Sequence, residues 1–219
     1  MIEHHASPEL VLDYAAGGMA EPLSVLMACH ASLCPSCRVE IDRLETIGGE
    51  LLETLEPEAM AADAPETVLA RLDEPEPQEP PLPPLDDETV ALLPAPLRRY
   101  VGGNLSDLPW RWRGRSMREV VLPVGVEGWQ VSLFRVRAGG VVPAHRHGRA
   151  EHTLVLQGGL TDRNGGHHIT AGDVETADSG HIHRQIADEG ADCLCLAVLD
   201  APIRLTGPLG WIANRLIRF

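Results

Sequence analysis

His30, Cys34 and Cys37 stand in the spacing His-x3-Cys-x2-Cys. A Cys-x2-Cys pair at the start of a helix turns two thiols toward one point, and a histidine four residues earlier lies one turn away on the same side. Tetrahedral zinc needs a fourth ligand. His5, just ahead of the first predicted helix, is the candidate, because a ligand from so far away would tie that helix to the other two; the adjacent His4 stays as the alternative. Without a metal, Cys34 and Cys37 read as small buried hydrophobes or as a redox dithiol, the latter lacking a βαβ context. Cys29 points about 100° away from His30 around a helix and is read as a bystander.

A second group lies in the other half of the chain. His145 and His147 are two residues apart, hence on one face of a strand, and Glu151 can reach the same point across the short turn holding Gly148. Cys193 and Cys195, also two apart, are read as lining the core of a strand, with a thiol near the pocket that responds to oxidants as the alternative.

The elements that must position these groups differ between the two halves. Pro8 to Met19, Pro22 to about Leu33 and Pro35 to Leu55 each open on a proline, which suits the first turn of a helix. Leu10, Val11, Tyr14 and Ala15, and then Ile41, Leu44, Ile47, Leu51 and Leu55, recur at helical spacing. So short a helical unit has little core of its own, and a metal would staple it. Residues 57–96 hold ten of the eighteen prolines and read as a linker. Within it, residues 65–72 and Asp86 to Leu93 are predicted as short helices, the second docking on its own domain through Leu92, Leu93, Leu97 and Tyr100. From about residue 104 short apolar or alternating runs, at 131–137, 152–157 and 193–199, are separated by glycine turns, the signature of a barrel or sandwich. In Trp110-Arg-Trp-Arg-Gly-Arg115 both tryptophans are expected to face inward, a reading preferred to stacking on nucleic acid. The apolar tail Pro208 to Phe219 is expected to pack on the barrel or the other domain.

Composition narrows the function classes. The 219 residues carry 32 acidic side chains against 18 basic ones, all arginine, for a net charge of −14. Residues 1–97 hold 20 acidic residues and 3 arginines, a balance of −17, whereas residues 98–219 balance at +3. This distribution argues against general nucleic-acid binding, which needs cations to neutralise phosphates, and favours a basic protein partner. No apolar run reaches membrane-spanning length, the N-terminus carries no export signal, and five closely spaced cysteines suit a reducing compartment. A cytoplasmic location is therefore expected, with no membrane partner.

The first group resembles the signature of the zinc-binding anti-sigma factors, an early His followed by His-x3-Cys-x2-Cys, here His5, His30, Cys34 and Cys37. The second resembles the cupins. Gly139-x5-His145-x-His147-x3-Glu151-x6-Gly158 fits the first cupin motif at every defined position, and Gly172-x5-Asp178-Ser179-Gly180-x2-His183 corresponds to the second. Asp178 stands where proline is usual and Ala187 where asparagine usually follows. The resemblance adds His183, in preference to His181, to the metal ligands, and leaves His152, His167 and His168 as surface or strand-face residues. Three imidazoles and a carboxylate accept Fe, Mn, Ni, Cu or Zn.

Both motifs in one chain, with Cys193-x-Cys195 followed by Asp200-Ala-Pro202 and an apolar tail, are similar to the ChrR-type anti-sigma factors. That resemblance implies an α + β fold of two domains: a helical zinc-binding bundle with its linker over 1–97, and an all-β cupin (double-stranded β-helix) barrel over 98–219. It implies Zn2+ in the first site and a second divalent metal, Zn2+ by preference, in the barrel. It further implies an anti-sigma factor, not an enzyme, that holds an ECF-type sigma factor 1:1 away from core RNA polymerase and answers an oxidative signal such as singlet oxygen through the cupin. The rival class is a cupin dioxygenase or isomerase with an appended helical domain. A DNA-binding cupin regulator is disfavoured by the acidic N-terminal unit.

Overall fold

The computed structural model describes residues 2–76, 81–124, 126–146, 149–163, 166–179, 182–200 and 204–205, with Arg146, Arg204 and Leu205 described by backbone alone. His147, His181, Gly148, Gly180 and the tail from Pro208 to Phe219 lie outside the described residues.

Three helices open the chain: α1 (Pro8–Ala15), α2 (Glu21–Leu33) and α3 (Pro35–Glu53). Ser7 caps α1 by accepting the Leu10 N–H at 3.3 Å. The helix stops four residues short of the expected Met19, because Gly17 takes the left-handed conformation (φ +70°) and ends the turn. Pro35 disfavours helical backbone at the residue before it. Cys34 is accordingly extended (φ −105°, ψ 102°), so α2 and α3 are separate helices that meet at that cysteine.

The proline-rich stretch is not uniformly extended. α4 (Ala64–Ala70) is an exposed helix followed by a 3-10 turn over Arg71–Asp73. α5 (Asp87–Leu92) is capped by Asp86, whose carboxylate accepts the Thr89 N–H at 2.8 Å. A helix not expected from the sequence, α6 (Ala95–Val101), follows the Pro94 stop and ends at Gly102 (φ +67°). Leu93, Leu97 and Val101 are buried, and the Tyr100 hydroxyl donates to Glu21 of α2 at 3.0 Å. This part of the arm is thus docked on its own chain, as expected.

Among the described residues twelve short strands follow: β1 (Arg111–Trp112), β2 (Met117–Val121), β3 (Gln130–Val136), β4 (His145–Arg146), β5 (Glu151–Gln157), β6 (Gly159–Asp162), β7 (His168–Thr170), β8 (Val174–Ala177), β9 (Ile182–His183), β10 (Gln185–Ala187), β11 (Cys193–Leu199) and β12 (Arg204–Leu205). All pairings are antiparallel. They make a six-stranded sheet in the order β1-β2-β3-β11-β5-β8 and two three-stranded sheets, β10-β6-β7 and β12-β4-β9. Every residue of β11 is buried, which explains why its sequence is a continuous apolar run. On one face of the large sheet, Leu194, Leu196 and Val198 join Leu133 and Leu154 in a single core with Val11, Val25, Leu26, Met27, Ile41 and Leu97 of the helices. On the other face, Cys193 and Cys195 pack with Val155, Leu160 and Ile169, and Ala197 and Leu199 with Phe134. Helices therefore cover the outside of the sheet, and the two small sheets close its inside.

One expectation is corrected. Trp110 is half-buried and packs on the helix-covered core, its indole N–H donating to the Leu105 carbonyl at 2.7 Å. Trp112 instead lies on the short edge strand β1, 51% exposed, with the Arg118 and Arg137 guanidiniums 5.2 and 4.7 Å from its ring centroid. A two-residue edge strand offers no second layer for that ring to enter.

Because helices and sheet share one core, Leu196→Ala is expected to destabilise both together, by about 2–5 kcal/mol. Denaturant unfolding followed by far-ultraviolet dichroism and by tryptophan fluorescence should give coincident transitions shifted to lower denaturant.

Candidate metal centres

Cys34 sits at the junction of α2 and α3 for the reasons given above, and that position sets the first group. His30 in the last turn of α2 and Cys37 in the first turn of α3 flank it, while the segment before α1 brings in His5. The four side chains place one donor atom each within 4.8 Å of one another. His5 Nδ1 lies 3.2 Å from Cys34 Sγ and 3.6 Å from Cys37 Sγ, and His30 Nε2 lies 3.2 Å from Cys37 Sγ. Bonds of about 2.0 Å to nitrogen and 2.3 Å to sulfur put the corners of a tetrahedron roughly 3.3–3.8 Å apart, so the donor set fits one zinc-sized ion. The Cys37 N–H donates toward Cys34 Sγ at 3.5 Å. All five cysteines are free thiols.

The alternative ligand, His4, is turned elsewhere: its Nε2 bonds the His168 carbonyl at 3.0 Å and its ring packs on His167 at 4.2 Å between centroids. Cys29 is buried away from the group, its thiol pushed up to about 12 by burial. Burial likewise pushes Cys37 up to about 11, with the neighbouring Cys34 adding to the effect. His30 is held below the usual imidazole value, first by burial, against an opposing hydrogen bond to the Gly172 carbonyl. In the metal-free protein both effects favour neutral groups.

The second group forms inside the barrel. His145 and His183 are paired in register across β4 and β9, with their Nε2 atoms 3.0 Å apart. The His145 Nδ1–H donates to the Pro143 carbonyl at 2.8 Å, which turns Nε2 toward His183 and Glu151. Glu151 opens β5, and its Oε2 lies 4.0 Å from His145 Nε2, while its Oε1 accepts the Thr153 hydroxyl at 3.2 Å. His145, Glu151 and His183 are all buried and converge within 4.8 Å. His147 lies outside the described residues, so three of the four expected ligands are brought together here. Two imidazoles and a carboxylate, aimed at one point and screened from water, fit a divalent ion.

Cys193 and Cys195 line the same interior, with sulfurs 3.4 Å apart. The Cys195 thiol is raised well above its usual value, first by its hydrogen bond with Cys193 and then by burial. His152, beside Glu151, points to the opposite face of β5 and bonds the Thr176 hydroxyl at 3.0 Å; His167 and His168 are exposed. Sequence reading did not find a buried polar group on the same inner face as Cys195. Glu119 of β2 is fully covered and takes hydrogen bonds from Gln130, from Ser132 and from the Arg113 guanidinium. An acidic residue inside an apolar strand was its only signal.

A family model described as the ChrR cupin-like domain matches residues 100–201. The chain is similar to the anti-sigma-E factor ChrR of Cereibacter sphaeroides, 40% identical over 206 residues, which is 93% of this chain and 92% of that protein. It is also similar to a crystal structure of Rhodobacter sphaeroides SigE in complex with the anti-sigma ChrR, with a TM-score of 0.78 and 38% identity, over 91% of this chain and all of that one.

Metal analysis should find two ions per chain. Cys37→Ser is expected to remove the first and Glu151→Ala the second, each leaving the other in place. A metal at the first site competes with protons for the thiols, since Cys37 is neutral at pH 7 without it. Loading there should release about one to two protons, and the apparent affinity should fall as pH falls, read by calorimetry in buffers of different ionisation enthalpy.

Proposed function

Because this chain belongs to the ChrR family of anti-sigma factors, we propose that its acidic helical part holds an ECF-type sigma factor and keeps it from core RNA polymerase. The observation that carries this reading is the apolar stripe of α3. Ile41 is buried in the shared core, yet the same stripe continues outward through Ile47 and Leu51, and Leu55 follows just beyond the helix end, Leu51 and Leu55 being 63% and 65% exposed. Val68, Leu69 and Leu72 around α4 are likewise exposed. Contiguous exposed apolar faces mark partner surfaces, and the acidic side chains around them, Glu45, Glu50 and Glu53 among others, suit a basic, nucleic-acid-handling partner. Among the described residues no helix is long and apolar enough to cross a membrane; we place the protein in the cytoplasm.

Residues 1–97 are taken as the sigma-holding unit and 98–219 as the sensing unit. The first group would hold Zn2+ through His5, His30, Cys34 and Cys37. The barrel would hold a second divalent metal, zinc by preference, through His145, Glu151 and His183, with His147 completing the set. A signal that alters these ligands, whether an oxidant such as singlet oxygen or an electrophile entering the pocket, reaches the large sheet through Glu151 on β5, a strand whose outer face carries the helices. Release of sigma then follows from loosening that packed face. Family membership sets the enzyme alternative aside.

Co-purification with a candidate sigma factor tests the clamp. Leu51→Asp together with Leu55→Asp should weaken sigma binding by at least about tenfold without loss of stability, since both side chains are in water. Ala at His145, Glu151 and His183 should leave sigma bound but abolish its release on exposure to singlet oxygen; signal-dependent release by that variant would exclude the sensing role.

A further inference from the structure

We propose that the turn between β7 and β8 is a built part of the N-terminal metal centre, with the Gly172 carbonyl positioning His30 and the Asp173 carboxylate positioning His5. This rests on reading His5, His30, Cys34 and Cys37 as metal ligands. A metal-bound imidazole needs an acceptor for its second ring nitrogen, which fixes the tautomer and the ring orientation. For His30, fully buried, that acceptor is the Gly172 carbonyl, 2.9 Å from Nδ1 and 142 residues away in sequence. Nε2 is thereby the atom turned toward Cys37.

Asp173 acts on the other histidine. Its Oδ1 accepts the backbone N–H groups of Glu3 at 2.8 Å and His4 at 3.0 Å, and its Oδ2 accepts the N–H and hydroxyl of Thr170 at 2.8 and 3.0 Å. The His4 carbonyl in turn accepts the Val174 N–H at 2.9 Å. Residues 3 and 4 are therefore pinned to the barrel immediately before His5. Asp173 is buried, and although burial alone would raise its carboxyl, these hydrogen bonds hold it below the usual value. Gly172 has φ +97°, and a Cβ there would lie 2.6 Å from Ile2 Cδ1 and Cγ1. A side chain there would have to displace Ile2 of the N-terminal segment and would strain the left-handed backbone of the turn. Backbone, carboxylate and glycine thus converge on ligands that belong to α2 and to the segment before α1.

Full-length protein reconstituted with zinc, and separately with cobalt, tests the assignment. Among the described residues, the first group contains cysteines and the second does not, so cobalt–thiolate absorption reports the first site. Asp173→Asn and Gly172→Ala should lower first-site zinc affinity about 10–100-fold, read by competition with a chromogenic chelator, and should alter the cobalt–thiolate bands. The barrel ion and the sheet dichroism should remain. Glu3→Pro deletes one N–H donor to Asp173 without touching the barrel, so it answers the same question if a turn variant fails to fold. His4→Ala, whose ring bonds only the His168 carbonyl, should change neither readout. Unchanged affinity and spectrum in the turn variants and in Glu3→Pro overturn the proposal. Absence of any cobalt–thiolate band in the unsubstituted protein overturns instead the reading of the four residues as a metal centre.

Discussion

The whole molecule is organised by one strand that has no solvent face. All seven side chains of β11, from Cys193 to Leu199, are buried, and their alternation sends Leu194, Leu196 and Val198 to the helices and Cys193, Cys195, Ala197 and Leu199 to the barrel interior. Neither set is covered until both the helices and the small sheets are in place. A helical unit of three short helices buries too little to stand firmly alone; here its buried side chains finish on a sheet supplied by the second half of the chain. The large sheet likewise needs the helices, since its outer face would otherwise be a broad apolar surface in water.

Polar groups inside such a structure must be satisfied, because an unpaired one costs about as much as a hydrogen bond contributes or more. Glu119 shows the solution on the inner face: three donors, one of them the Arg113 guanidinium, surround a carboxylate that is almost wholly covered. Asp173 shows it at the seam between the two halves, where a single carboxylate accepts donors from both. The seam is thus specified by directional bonds as well as by apolar area, and directional bonds fix register where apolar contact alone allows sliding.

The site residues were legible where chemistry is compressed into a short segment. His30, Cys34 and Cys37 lie within eight positions, with Pro35 separating the helices, so their convergence follows from helical geometry. His145 and Glu151 were legible from strand alternation and a short turn. His183 came only through a motif resemblance, since its meeting with His145 depends on pairing between β4 and β9, 38 residues apart. The contacts of Gly172 and Asp173 left almost no trace: Ala-Gly-Asp reads as an ordinary turn, and nothing local says that a helix lies against it. Trp112 was misplaced for a related reason, because alternation gives the two faces of a strand but not whether a further layer covers either. The lack of lysine has no counterpart in the structure.

The same seam joins the two candidate centres through one short strand. β8 begins at Val174, whose N–H holds the His4 carbonyl, and ends at Ala177, which is paired in register with Glu151. Three residue steps of strand, about 10 Å, therefore separate the anchor of the N-terminal segment from the partner of a barrel ligand. A strand held in register on one edge does not stretch to absorb a displacement; it keeps its position or gives up its pairing. If Glu151 is moved by what happens in the barrel, β8 is the element that must follow, and the histidine held at its other end must follow with it. By reciprocity of linked equilibria, an ion that holds His5 and His30 in place stabilises the paired β8, and so resists the same displacement. The first centre is then more than a staple for three helices. On the proposed reading, its affinity for metal would set part of the threshold that a signal in the barrel has to overcome.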